Sequence, residues 1–156
     1  MKKIFGTKQL AKAEFGSTIE LGAYGERLAI DHIKKQGYRI VATNYTAPLG
    51  LSRNGRIITG EIDIIAYDAD GILCFIEVKT RSSQEFAAPQ TAVDRRKQRQ
   101  IIRTSRIYRR VLQLGGEAFR FDVVSVLLAS ATPEVTILQS YFSEARFEHS
   151  NWLRGY

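Results

Sequence analysis

The segment Glu61-Ile62-Asp63-Ile64-Ile65-Ala66-Tyr67-Asp68-Ala69-Asp70-Gly71-Ile72-Leu73-Cys74-Phe75-Ile76-Glu77-Val78-Lys79-Thr80 sets two aliphatic runs around an Asp-Ala-Asp-Gly turn. Short runs of Ile, Val, Phe and Tyr bounded by such punctuation predict strands over Glu61–Tyr67 and Ile72–Thr80, joined as an antiparallel hairpin. Side chains two apart on a strand share a face, which pairs Glu61 with Asp63 and Glu77 with Lys79. With the hairpin centred near Asp70, Asp63 falls opposite or diagonal to Glu77, close enough for both carboxylates to reach one ion. Burying two carboxylates among isoleucines is costly unless a cation or donors compensate. A hard divalent cation with oxygen ligands supplies that compensation, and Mg²⁺ keeps several waters beside one or two carboxylates. Lys79 would then position or help activate an attacking water. A metal that neutralises phosphoryl charge and orients water is the set of parts that phosphodiester hydrolysis needs.

Upstream, residues 18–36 predict a helix, with Thr18 as its cap and Gly37 as its stop. Leu21, Gly25, Leu28, Ala29 and His32 form its apolar stripe, with Ile33 at the edge and Glu26 at the margin, from where a carboxylate can look into the fold. Tyr38–Tyr45 predicts a strand. Pro48, Gly50 and Asn54-Gly55 mark 46–59 as a basic loop or short hairpin. Downstream, residues 91–114 predict a second helix, ended by Gly115-Gly116. Arg95, Arg99, Arg103, Arg106 and Arg110 fall on one face, and Ile101, Tyr108, Val111 and Leu112 roughly opposite. Lys97 projects toward the Ile101 and Tyr108 stripe, from where it would reach the edge of the site and meet a phosphate. Phe119–Leu128 is a near-continuous apolar run of the kind that forms a buried strand. Pro133–Phe142 adds an edge strand, and 143–156 carries no signal. The order is helix, three strands, helix, strand: an α/β fold with a mixed sheet and helices packed on it.

The 156 residues suit one domain with its own core, since 44% are hydrophobic. The single cysteine, Cys74, excludes an intrachain disulfide and a cysteine-rich zinc site, and its apolar surroundings make it a small buried hydrophobe. His32 and His149 are too scattered for zinc spacing. No apolar run approaches the length of a membrane span, and the basic start lacks the apolar core of a signal peptide, so the expected location is cytoplasmic. The net charge of +7 points to a polyanionic partner. Eight basic residues against one acidic between Asp94 and Arg110 place much of that charge on the second helix.

Asp63, then thirteen residues, then Glu77-Val78-Lys79 resembles the PD-(D/E)xK nuclease signature, with Ile62 in place of its proline. The wider set is similar to the YraN family of small predicted endonucleases. It comprises Gly22-Ala23-Tyr24-Gly25-Glu26, Gly37-Tyr38, Asn44, Gly60-Glu61-Ile62-Asp63, Phe75-Ile76-Glu77-Val78-Lys79-Thr80-Arg81, Lys97 and Arg120-Phe121-Asp122-Val123-Val124. The resemblance implies a restriction-endonuclease-like αβββαβ core, which the strand and helix order reaches independently. It also implies likeness to archaeal Holliday-junction resolvases, in which a first-helix glutamate joins the metal site; here that residue is Glu26. The segment 46–59 is longer than this family leads one to expect.

These readings divide the chain into a flexible basic leader (1–17), a nuclease-like domain (18–142) and a C-terminal tail (143–156). The expected site is Asp63, Glu77 and Glu26 on Mg²⁺ or Mn²⁺, with Lys79 at the water. Lys97, Arg81, Arg95, Arg99, Arg103 and Arg106 contact nucleic acid, DNA above all, without reading bases. Glu61 either supports the ligands from behind or is an exposed strand residue. A homodimer would suit the two-fold symmetry of branched DNA. Two other readings stand beside the endonuclease: an inactive nucleic-acid-binding module that keeps the fold, and a membrane-surface protein using the basic helix. The last suffers because that helix lacks Trp and Phe and its apolar face is needed to cover the strands.

Overall fold

The computed structural model describes residues 17–82, 93–129 and 131–147. The elements run α1 (Thr18–Lys35), β1 (Arg39–Leu51), β2 (Ile57–Tyr67), β3 (Leu73–Arg81), α2 (Arg95–Val111), β4 (Phe119–Leu127), β5 (Glu134–Phe142) and a 3₁₀ turn at Glu144–Phe147. This is the expected αβββαβ order, and the edge strand is present as β5. The strands lie in chain order in one five-stranded sheet. All neighbours are antiparallel except β3 and β4, which are parallel because α2 carries the chain back between them.

The two helices cover opposite faces. Ala29 and Ile33 of α1 pack with Ile64, Ala66, Cys74, Ile76, Val78, Val124 and Val126. Ile101, Ile102 and Tyr108 of α2 pack with Ile62, Ile65, Leu73, Phe75, Phe121 and Val123. Covered on both sides, β3 is buried from Leu73 to Val78. Phe121 stacks on Phe142 at 4.8 Å, and Tyr108 meets Phe75 edge-on, so β5 is tied into the α2-side core by aromatic contact. Cys74 is fully buried, and burial pushes its thiol up to about 12.

Several local expectations change. The cap of α1 is Ser17, whose Oγ accepts from Glu20 N; Thr18 is already helical. Of the two expectations for residues 46–59, the hairpin is the one found: β1 and β2 extend through them and pair there, joined by a tight turn around 52–56. Pro48 is tolerated because β1 is an edge strand, and a register break follows between Pro48 and Gly50. On α2, Val111 and Leu112 are exposed, at 67% and 50%, because the helix ends there beyond its cover. The buried face uses Gln98, Thr104 and Ser105 together with Ile101, Ile102 and Tyr108. Thr104 lies so close to Gly60 that a Cβ there would come within 2.0 Å of its Oγ1. Of the expected tail, Phe147 is buried in the α2-side core, so part of it belongs to the domain. Residues 1–16 and 148–156, and positions 91 and 92 of the expected second helix, lie outside the described residues. No described helix is long and apolar enough to cross a membrane.

Candidate metal centre and its basic surround

The β2–β3 ladder runs from Tyr67–Leu73 to Ile64–Ile76. Continued by one step, it would set Asp63 opposite Glu77. There the strands part, and the Asp63 carboxylate bridges the gap, accepting from Val78 N at 2.7 Å. The facing of β2 also switches at this point. Ile62 packs on the α2 side and Ile64 on the α1 side, although they are two residues apart. Simple alternation therefore does not carry across Asp63, and Glu61, which it grouped with Asp63, is exposed. Asn44, bracketed by the Thr43–Ile64 and Tyr45–Ile62 pairs, has φ 50, a left-handed turn of the edge strand next to the site.

Glu77 is 3% exposed. One carboxylate oxygen lies 2.8 Å from Lys79 Nζ, and the other 3.2 Å from Lys97 Nζ. The second contact has ion-pair distance but not hydrogen-bond geometry, so Glu77 Oε2 is buried without a hydrogen-bond donor among the described residues. Burial, and then the neighbouring Glu77 charge, pushes the Asp63 carboxyl from 3.8 up to about 7. The Val78 N–H and Lys97 oppose that rise, and Glu26 adds to it. Lys97 is held in place by the start of α2, where the Asp94 cap accepts from the Lys97 backbone N–H at 2.8 Å.

The pair fits a hard divalent cation. A buried carboxylate oxygen lacking a donor, beside a second carboxyl that resists ionising, is what an oxygen-ligated cation would relieve. Glu26 does not complete a tight triad: among the described residues no three His, Cys, Asp or Glu side chains are grouped closely enough to hold one ion. The reason is topological. Glu26 comes from α1, whose Gly25 abuts Thr80, whereas Glu77 meets Lys97 of α2 across the other face of the sheet. Its charge is still felt at Asp63, whose carboxyl it helps to raise.

The basic residues divide. Arg95 is exposed at the start of α2, and Arg81 ends β3 beyond Lys79. Arg99 lies 5.6 Å above the Phe147 ring, and Arg103 donates to the carbonyl of Leu49, tying α2 to the β1–β2 hairpin. Gln100 adds a second tie, to Thr59 O at 2.9 Å. Arg106 is engaged by both oxygens of Glu144 at 3.2 and 3.3 Å, and Arg109 by one at 2.8 Å. Part of the arginine face thus anchors the fold. Glu144 escaped the sequence reading because a lone acid in a featureless tail carries no periodic signal. Arg96, Lys97, Arg99 and Arg103 also line a cleft of about 470 Å³ between α2 and the hairpin.

Away from the site, Arg120 and Asp122 pair at 3.0 Å, and Arg120 also binds Asp68 and the Tyr38 hydroxyl. Asp122 is fully buried, and burial raises its carboxyl despite those donors. This network ties β4 to the β2–β3 turn and the end of α1.

The model of uncharacterised protein family UPF0102 matches residues 25–126. The UPF0102 protein of Koribacter versatilis is 41% identical over 124 residues, 80% of each chain. That of Chlorobaculum parvum is 46% identical over 110 residues, 70% of this chain and 77% of its own. That of Alkaliphilus oremlandii is 39% identical over 125 residues, 79% of this chain and 97% of its own. The family match spans both carboxylate-bearing strands and the whole of α2, and the chain belongs to the uncharacterised protein family UPF0102, the YraN family.

Proposed function

We propose that this chain is a divalent-metal-dependent endonuclease that hydrolyses phosphodiester bonds in DNA, with branched or otherwise structured DNA as its substrate class. The observation that carries the reading is the meeting of part-buried Asp63 and buried Glu77 where β2 and β3 part, with Lys79 and Lys97 on Glu77. Asp63 and Glu77 would hold Mg²⁺ or Mn²⁺. Such an ion supplies phosphoryl charge neutralisation and a water of lowered pKa. The Val78 N–H fixes the Asp63 carboxylate in the gap between strands. Lys79, 36% exposed at its side chain, can leave Glu77 to hold the water or a phosphate oxygen. Lys97 meets the phosphate from the α2 side, and the cleft it lines supplies sequence-independent attraction for the backbone.

The test is cleavage of linear, flapped and four-way DNA with Mg²⁺ or Mn²⁺. Asp63→Ala and Glu77→Ala should each abolish it; activity that survives either change overturns the assignment. The arrangement of two lysines on Glu77 without a third close acidic ligand favours one other reading, a binding module whose site no longer turns over. Salt-sensitive DNA binding with no heat of Mg²⁺ binding in calorimetry would select it.

A further inference from the structure

The β1–β2 hairpin runs past the sheet and ends in an apolar tip. Leu51 and Ile57 face each other across its last rung, 66% and 69% exposed, and Ile58 follows at 43%. Aliphatic side chains this open, three together, are unusual on a surface that faces only water. The tip is built to hold its shape. Ser52 N donates to Arg56 O at 2.7 Å, Gly55 N to Ser52 O at 2.9 Å, and Arg56 N to Ser52 Oγ at 3.0 Å. Gly55 supplies the positive φ, 73°, that the turn requires. Further back, Arg103 and Gln100 bind the hairpin backbone at Leu49 and Thr59, so its direction is set by α2.

Charge decides what such a tip meets. Arg53 and Arg56 flank the aliphatics and are exposed, and no acidic residue occurs from Arg39 to Gly60. The tip continues the basic cleft, with Ile58 lining both. A second copy of this chain would bring arginines against arginines. Its docking by strand addition is opposed by Pro48 and by two register breaks in β1. We propose that Leu51 and Ile57 form a wedge that enters interrupted base stacking, at a branch point of duplex DNA, while Arg53 and Arg56 hold the flanking phosphates. Leu and Ile are side chains that proteins insert between base steps, and a branch already lacks the stacking that insertion must otherwise disrupt. The proposal rests on the nucleic-acid reading above and adds how the substrate class is chosen. Six residues of extended chain separate Ile57 from Asp63, about 20 Å at ~3.3 Å each, so the wedge and the carboxylates would touch the same duplex about six base pairs apart.

The experiment uses the full chain in EDTA, so that binding is read without cleavage. Fluorescence anisotropy compares a four-way junction with a linear duplex of the same arms, and 2-aminopurine at the branch reports unstacking. Leu51→Ser/Ile57→Ser should weaken junction binding about tenfold, leave linear duplex within about twofold, and remove the 2-aminopurine rise seen with the unaltered chain. Both positions are exposed, and a urea melt checks that the fold is kept. Arg53→Ala/Arg56→Ala should weaken both substrates. Equal effects of the serine variant on both substrates, or none, overturn the wedge while leaving the nuclease reading intact. A sedimentation shift from dimer to monomer in the serine variant also overturns it, in favour of a second copy. If the unaltered chain binds neither DNA, the nucleic-acid reading falls and the wedge with it.

Discussion

Replacing Asp63 by Asn should stabilise the metal-free protein at alkaline pH while removing its response to Mg²⁺. The Asp63 carboxyl is pushed from 3.8 up to about 7 because it is buried beside Glu77. Between those values the folded chain binds more protons than the unfolded chain, so stability falls as pH rises through the window. At ~1.4 kcal/mol per pH unit, the rise sets a ceiling of about 4 kcal/mol on the strain of ionising Asp63 above pH 7. Asn is isosteric, stays neutral, and still offers Val78 N–H an oxygen. With part of the strain relieved by water around a part-buried group, Asp63→Asn should gain about 2 to 4 kcal/mol at pH 8 and nearly nothing at pH 4. The assay is urea unfolding of both proteins at the two pH values, with EDTA and then with Mg²⁺. Mg²⁺ at about a hundred times its Kd should stabilise the unaltered chain by about 2.7 kcal/mol and leave Asp63→Asn unmoved. An Asn variant equally or less stable at pH 8 would refute the claim that Asp63 and Glu77 are a strained pair awaiting a cation.

Lys97→Met removes one of two cations from buried Glu77; DNA cleavage should fall at least tenfold in single-turnover assays, with thermal unfolding shifted down. Gly25→Ala would place a Cβ 1.8 Å from Thr80 Oγ1, forcing α1 off β3; urea titration should show a loss of about 1 to 3 kcal/mol. Glu144→Ala strips the shared partner of Arg106 and Arg109 and should lower stability by about 1 to 2 kcal/mol, read by calorimetric melting. Unlike Lys97→Met, it should leave cleavage at permissive temperature close to that of the unaltered chain.

Much of the architecture was legible because hairpin chemistry is local. The Asp68–Gly71 turn, with Asp68 Oδ1 accepting from Asp70 N and Ile72 N, sets the β2–β3 register, and register brings Asp63 to Glu77. Helical spacing put Lys97 on the side of Ile101 and Tyr108, and the likeness to the YraN family singled it out as well. What stayed hidden was non-local or irregular. The parting of the strands at Asp63 breaks the two-residue period, so the Val78 contact and the exposure of Glu61 could not be read from alternation. Pro48 and Gly50 look like loop residues until β1 is known to be the sheet edge. Thr104 and Ser105 score as polar, yet Thr104 donates to Gln100 O and Ser105 to Ile102 O within the helix, which lets both be buried against the sheet. The pairing of Arg106 with Glu144 joins residues 38 apart, and nothing near either one announces it.

The proposed activity depends on Asp63 and Glu77 jointly holding one divalent ion. Crystals soaked in Mn²⁺ and measured for anomalous scattering test it most directly. A peak is expected within about 2.2 Å of an oxygen of each carboxylate, with at least one of Lys79 and Lys97 drawn off Glu77. Saturating Mn²⁺ that leaves no peak between them, with both lysines still on Glu77, would contradict it.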